Sequence, residues 1–210
     1  MHRIQQTRTL LAGAVGAICA SQTHGAAASL TINGSLASGG VATMAAQQQI
    51  GITSTANYSA VNFTITGTDG YGRVISEVLA GPNNGTADSV LNYLTVTSIT
   101  TSGATSTALT VDTIGVGASG EIPMDQYLNP ANASLTVEIS GTANVTAQFT
   151  TDDIWGKAPG PFTWFPVTQL TGVTASATST VNDAVTAVRL LTNSGTGTVV
   201  FTVLQSGMSC

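Results

Sequence analysis

The chain is almost devoid of the charged residues from which solvent-exposed helices are built. Lys, Arg, Asp and Glu make up 7% of its 210 residues and 42% are apolar, while threonine, serine and glycine supply most of the rest. Threonine and valine have stiff side chains that fit a pleated surface, whereas Lys, Glu and Arg favour helices. The composition therefore predicts an all-β protein.

The charge balance bears on the kinds of partner that the chain can bind. The formal net charge is −5 and Lys157 is the only lysine, so no basic face is expected that could neutralise a run of phosphates. We therefore expect no direct binding to nucleic acid. A surface so poor in charge stays soluble through hydroxyls and amides or is covered by neighbouring subunits, and we favour coverage.

From Ser29 onward, apolar and polar residues alternate with the period of a β-strand. Phe63 and Ile65 alternate with threonines, and residues 69–72 (DGYG) follow as a turn signal that predicts a hairpin. Residues 135–149 and 187–204 show the same alternation interrupted by turn residues, and each predicts a further hairpin. Turn signals about ten residues apart are typical of a sandwich or barrel.

The alternation lapses between Gly115 and Asn132, where glycine and proline punctuate the chain. This lapse predicts a boundary between two β-sandwich or jelly-roll-like halves, residues 29–120 and 121–210, with no sequence repeat between them. An N-terminal arm, residues 1–28, precedes both halves.

Two interpretations of residues 1–28 stay open. Arg3 and Arg8 precede the apolar run LLAGAVGAICA and a small-residue segment at 26–28, which is the pattern of a secretory signal. The run is too short to span a bilayer. Alternatively, because a glycine- and alanine-rich segment cannot offset its own ordering entropy, a neighbouring subunit would hold it. We favour an assembly arm that is partly helical across residues 4–19.

Residue patterns that would indicate catalysis or metal binding are weak. His2 and His24 both lie in the arm, so no histidine is available to a serine nucleophile in either β half. Two cysteines and two histidines give no zinc spacing. Asp152 and Asp153 are the best calcium candidates but lack an EF-hand pattern. Paired carboxylates for glycoside hydrolysis could be drawn from Glu77, Glu121, Glu138, Asp152 and Asp153. We predict no enzyme activity, no metal and no cofactor.

One cofactor-binding pattern occurs in the sequence. Residues 115–120 (GVGASG) match the G-x-G-x-x-G pattern of dinucleotide-binding loops. That loop needs a helix opening at its third glycine, and Glu121 and Pro123 do not begin one. We interpret the segment as a connection.

Aromatic residues concentrate in one part of the second half. Trp155, Phe162, Trp164 and Phe165 lie beside glycines and prolines. Such a cluster can form core or a subunit contact, which we favour, or can stack on sugar rings.

The two cysteines sit near the ends of the chain. Cys210 is the final residue and Cys19 lies in the arm. An intermolecular disulfide through Cys19 and Cys210 is therefore a further candidate contact, although two free thiols are the simpler expectation.

Several short segments resemble a family of tailed-bacteriophage virion structural proteins. In the first half these are residues 49–54, 63–69, 75–77 and 95–99, and in the second half residues 152–153, 164–165, 187–190 and 195–199. The resemblance runs from about Leu30 to the C-terminus and implies a particle component present in many copies, without catalytic residues. The signal-like residues 1–28 depart from it.

These observations lead to two functional hypotheses. The first is a non-enzymatic virion protein that binds copies of itself and other virion proteins, on the capsid surface as decoration or cement, or in the head–tail or tail apparatus. The alternative is a secreted bacterial cell-surface protein, such as an adhesin, an S-layer protein or a carbohydrate-binding protein.

Overall fold

The protein divides into two compact β units. The structure, a computed structural model, describes residues 2–155 and 162–209; for residues 2, 128–131 and 206–209 it describes the backbone only. One unit is the continuous segment Ala12–Gly117, and the other combines Met1–Leu11 with Ala118–Cys210. We call the first unit the contiguous jelly roll and the second the split jelly roll, because the strands of each pair in the jelly-roll pattern described below.

Strands account for nearly all the regular structure of the described residues. Their bounds are β1 His2–Thr9, β2 Ala14–His24, β3 Ala37–Ser38, β4 Val41–Gln48, β5 Ile50–Asn57, β6 Asn62–Thr68, β7 Val74–Ala80, β8 Asn83–Asp88, β9 Tyr93–Thr101, β10 Thr105–Thr113, β11 Gly117–Ala118, β12 Ile122–Pro123, β13 Leu128–Ser140, β14 Ala143–Thr150, β15 Phe165–Pro166, β16 Ala177–Val181, β17 Ala187–Gly195 and β18 Thr198–Ser209. A single 3₁₀ turn at Thr168–Leu170 is the only helix in this described part of the chain.

The contiguous jelly roll is built from nested antiparallel pairs. Strand β2 pairs with β10, β4 with β9, β5 with β8, and β6 with β7. These pairs form two sheets, ordered β2-β10-β5-β8 and β3-β4-β9-β6-β7. A long hairpin folded over itself in this way is the eight-stranded, two-sheet jelly roll.

The core of the contiguous jelly roll lies between its two sheets. Phe63 and Ile65 are fully buried, while Thr64 and Thr66 between them are half-buried on the opposite face, as the alternation predicts. The buried cluster contains Ile18, Cys19, Leu30, Ile32, Ala42, Met44, Ile50, Ile52, Tyr58, Phe63, Ile65, Ile75, Tyr93, Val96, Ile99, Leu109 and Val111.

The split jelly roll repeats the same nested pairing. Strand β1 pairs with β18, β12 with β17, β13 with β16, and β14 with β15. Its sheets are ordered β1-β18-β13-β16 and β11-β17-β14-β15, with β12 also on β17. The contiguous jelly roll is thus inserted in sequence between the first and second main strands of the split one. The prediction of an all-β protein with two jelly-roll-like halves is confirmed.

The core of the split jelly roll is aliphatic apart from one phenylalanine. Phe201, near the start of β18, is fully buried. The other buried members are Leu10, Ile122, Ala133, Leu135, Val137, Ala143, Val145, Ala147, Val167, Leu170, Val181, Val185, Val188, Leu190, Val199 and Val203.

The N-terminal segment differs from the expected arm. The helix expected over residues 4–19 is wrong, because residues 2–9 and 14–24 are strands β1 and β2. Their partners are β18 and β10 of the same chain, so no neighbouring subunit is needed to order them. Burial decides the conformation: Leu10, Ala17, Ile18 and Cys19 are all at most 3% exposed, and packing overrides the helix propensity of alanine and leucine.

Two of the three expected hairpins are wrong. Strands β13 and β14 meet at Gly141 but lie in opposite sheets, and so do β17 and β18. Residues 69–72 do close a true hairpin, in which β6 and β7 pair over all seven residues of each strand. Alternation identifies the strand and its buried face but not its partner, and a jelly roll sends many consecutive strands to different sheets.

Residues 115–120 join the two units without a nucleotide-binding helix. Gly115 has a φ of 73°, and the following residues enter the short strand β11. The interpretation of this segment as a connection agrees with the described backbone.

Candidate functional site

The candidate site is the aromatic edge of the split jelly roll, defined as Trp155, Phe162, Trp164 and Phe165. Strand β15 is the two-residue edge of its sheet and pairs with β14. The four side chains lie in and around this edge, outside the aliphatic core cluster. Residues 156–161, which include Lys157, lie outside the described residues.

An arginine on the outer face of the sheet anchors the first part of this edge. Gln148 on β14 lies opposite Arg189 on β17. Their neighbours Ala147 and Val188 are in the core, so strand alternation directs Gln148 and Arg189 to the outer face. Arg189 Nε donates a 2.8 Å hydrogen bond to Gln148 Oε1, which fixes the plane of the guanidinium.

Trp164 stacks on that guanidinium. The Arg189 Cζ atom is 4.1 Å from the centroid of the Trp164 ring, a cation–π distance. Phe162 meets Trp164 edge-on, with ring centroids 6.4 Å apart and an interplanar angle of 85°. Both aromatic side chains are half-buried, so part of each ring is exposed to solvent.

Burial also affects the charge of Arg189. Desolvation lowers its pKa to about 10, and the nearby negative charge of Glu121 opposes that shift. Arg189 therefore remains a cation at neutral pH.

Phe165 belongs to the other side of the sheet. It pairs with Phe149, and the two rings are 5.7 Å apart with an interplanar angle of 31°. Phe149 packs against the core, whereas Phe165 is 45% exposed. Phe165 thus extends the core outward past its own edge strand.

Trp155 is the most exposed aromatic residue of this edge. Its side chain is 78% exposed, while its backbone N–H donates to Asp153 Oδ1 at 2.9 Å. Asp152 Oδ2 accepts a hydrogen bond from the Thr163 backbone N–H at 2.7 Å. The two carboxylates thus hold the backbone on either side of residues 156–161, which is a structural use of Asp152 and Asp153.

The other candidate carboxylates are dispersed. Glu77 lies in the contiguous jelly roll, where Oε1 accepts a hydrogen bond from the Tyr93 hydroxyl and Oε2 accepts one from the Val90 backbone N–H, both at 3.0 Å. Glu138 is exposed on β13, and Glu121 is the acidic neighbour of Arg189. Among the described residues, no group of three or more His, Cys, Asp or Glu side chains is placed to hold a metal ion.

Cys19 is a buried core residue. Its side chain is 0% exposed, and desolvation together with the charge of Asp112 raises the pKa of its thiol to about 12. Cys210 lies outside the described residues, so the intermolecular disulfide stays a prediction. For Cys19 to take part, β2 would have to open.

In the described part of the chain, no helix has the length and apolar character needed to cross a membrane.

No protein-family model matches this chain and no curated protein matches it in sequence.

Sequence reasoning identified the aromatic residues of this edge but missed Gln148 and Arg189. The strand register that places these two side by side joins residues 41 positions apart. No local pattern marks that pairing. The sequence also gave no reason to expect that the aromatic residues would divide between the two faces of the sheet.

Proposed function

We propose that the protein is a non-enzymatic structural component of a phage particle, assembling through contacts on the capsid surface or in the head–tail or tail apparatus. The observation that carries the proposal is the presence of two jelly rolls in one weakly charged chain. The jelly roll is a fold of viral capsid proteins and of lectins. Because fold alone does not fix function, the surface has to support the choice between these roles.

The surface supports assembly in two ways. First, large apolar side chains are exposed in both jelly rolls: Val74, Val78, Tyr127 and Trp155 are each at least 66% exposed. Exposed apolar side chains are area that a neighbouring subunit can remove from water. Second, only 7% of the residues are charged, so the surface places few charges where a neighbouring subunit would have to desolvate them.

The experiment that tests the proposal locates the chain in its source material. Particles are purified on a density gradient, and the protein is quantified by mass spectrometry in the particle, cell-envelope and secreted fractions. We expect many copies in the particle fraction, with N-terminal peptides that include residues 9–28. Recovery in the secreted or envelope fraction alone, with an N-terminus near Ala26, would refute the proposal.

The alternative is a glycan-binding protein of the cell surface. The exposed indole of Trp155 favours it, because aromatic rings on lectin-like sandwiches stack on sugars. A glycan array with the purified chain and with Trp155→Ala tests this function. Tyr127→Ala is the matched control, since Tyr127 is equally exposed in the same jelly roll at 79%. Glycan binding that is lost only in Trp155→Ala would establish the alternative.

A further inference from the structure

Strand β7 is a long and regular open edge of the contiguous jelly roll. It pairs with β6 through seven consecutive residue pairs, from Asn62 opposite Ala80 to Thr68 opposite Val74, without a bulge. It is the last strand of its sheet, and no described strand pairs with its other side. An edge of this kind presents backbone N–H and C=O groups ready to pair with another strand.

The other edges of the same jelly roll lack that regularity. Strand β3 has two residues. Strand β2 has several register shifts, and its backbone is covered by the following segment, since Gly34 and Leu36 N–H groups donate to Ile18 and Ala17 carbonyls. The register of β8 with its neighbour is also broken, and Asn84 within it has a φ of 50°.

The outer face of β7 carries no charge. Val74, Ser76, Val78 and Ala80 point outward, and Val74 and Val78 are 73% and 66% exposed. Natural edge strands are usually protected by lysine, proline or bulges. Strand β7 has none of these three features, and its one charged residue, the inward-facing Glu77, is held by the Tyr93 hydroxyl and the Val90 N–H of the same chain.

We propose that two copies of this chain pair through β7, antiparallel, about a two-fold axis at Ser76. Their five-stranded sheets then join into one continuous sheet. A two-fold interface brings the same patch of both copies together, so the strand must be complementary to itself. The proposal deepens the assembly function proposed above and rests on it, by naming the partner and the surface.

Pairing at Ser76 makes the strand complementary to itself in shape. In this register Ser76 faces Ser76 of the second copy, and Val74 faces Val78 of the second copy. Two cross-strand valine pairs therefore form on the outer face, and such pairs stabilise sheets. Every residue faces a residue on the same side of the sheet, so burial on the opposite face is undisturbed.

Charge selects the same register. Shifting the axis by one residue, to Glu77, would place Glu77 opposite Glu77 of the second copy, and like charges directly opposite are destabilising. With the axis at Ser76, Glu77 faces Ile75 of the second copy. Arg73, whose Nε stays bonded to Asp69, then lies diagonally opposite Glu77 of the second copy. The two-fold axis thus places a cation, and not a second carboxylate, near each Glu77.

The test is a site-specific disulfide. In a Cys210→Ser background, Ser76→Cys is expected to form a disulfide-linked dimer on mild oxidation, because directly opposed residues on paired antiparallel strands fall within disulfide range. Thr64→Cys is the matched control: it shares the outer face but lies on β6, opposite Val78, so two more strand spacings separate it from its counterpart. It is expected to give no dimer.

A second variant measures the contact without oxidation. Val78→Lys is expected to weaken dimerisation roughly tenfold, as judged by sedimentation, because it removes both valine pairs. Its circular dichroism should be unchanged because the side chain is exposed. If the chain oligomerises but Ser76→Cys does not crosslink and Val78→Lys has no effect, the β7 contact is wrong and assembly stands. If the chain remains a monomer at every concentration, both proposals fail.

Discussion

The clearest test of the N-terminal segment is a pair of substitutions three residues apart in β2. Ile18 is 0% exposed in the core of the contiguous jelly roll, whereas Val15 is 81% exposed. If residues 14–24 were a removable leader, substituting either position would leave the stability of the fold unchanged. If they are a strand of the core, only the substitution of Ile18 lowers that stability.

The expected magnitude follows from burial. Replacing a fully buried isoleucine by alanine costs about 2–5 kcal/mol through lost transfer energy and the cavity left behind, a large share of the roughly 5–15 kcal/mol that stabilises most folded proteins. For a unit of this size a loss of about 3 kcal/mol lowers Tm by roughly 10–20 °C. Val15→Ala should stay within about 0.5 kcal/mol of the parent, as exposed substitutions do.

Urea denaturation followed by far-ultraviolet circular dichroism measures both variants. We expect Ile18→Ala to lower the midpoint at an unchanged m-value, which signals lost stability without a change in the surface exposed on unfolding. Equal midpoints for the two variants would refute the assignment of residues 14–24 to the core.

Further predictions concern the same jelly roll and its contacts. Gly34→Ala should lower Tm because its Cβ would overlap the backbone carbonyls of Gly16 and Ala17, whereas Gly25→Ala, with nothing within 4 Å of its Cβ, should not. Asp112→Ala should cost about 1–3 kcal/mol in urea denaturation, because Asp112 accepts hydrogen bonds from the Gly16 N–H at 2.6 Å and the Thr53 hydroxyl at 2.5 Å; an equal loss in the exposed Asp88→Ala would contradict this. In a Cys210→Ser background, Cys19 should resist Ellman's reagent at pH 8 until urea is added, since the pKa of its thiol is raised to about 12 and only the thiolate reacts. A chain that begins at Ala27 should fail to give the sheet signal of the parent in circular dichroism, because β1 and β2 are both missing.

The sequence predicts the strands of this fold better than it predicts their partners. Alternation around Phe63 and Leu135 places those residues on the buried face, because the period of two is a local property. The pairing of β1 with β18, in which Gln6 lies opposite Phe201, depends on residues almost 200 positions apart. No local turn pattern in the sequence indicates such a pairing.

The N-terminal run shows why local patterns fail in particular cases. An apolar run rich in alanine after two arginines fits a secretory leader, a helix and a buried strand equally well. Tertiary packing determines that the run is a strand, because Ile18 and Cys19 pack with residues such as Leu109 and Val111 of β10. At the aromatic edge, likewise, the residue types were visible in the sequence, but the stacking of Trp164 on Arg189 needed the register of β14 and β17.

The insertion of one jelly roll into another places different demands on the two edge strands β1 and β7. The contiguous jelly roll can close all its pairs within Ala12–Gly117, but β1 has to wait for β18, which is synthesised after the whole of that unit. An unpaired strand that waits is exposed to wrong partners. Strand β1 (HRIQQTRT) contains one large apolar residue and two of the five basic residues of the chain, which makes it a poor partner for other edges. Among the described strands, none pairs with the second side of β7, and the outer face of β7 has no charge. The chain thus protects the edge that must stay free during folding, and leaves unprotected the one that we propose it uses afterwards.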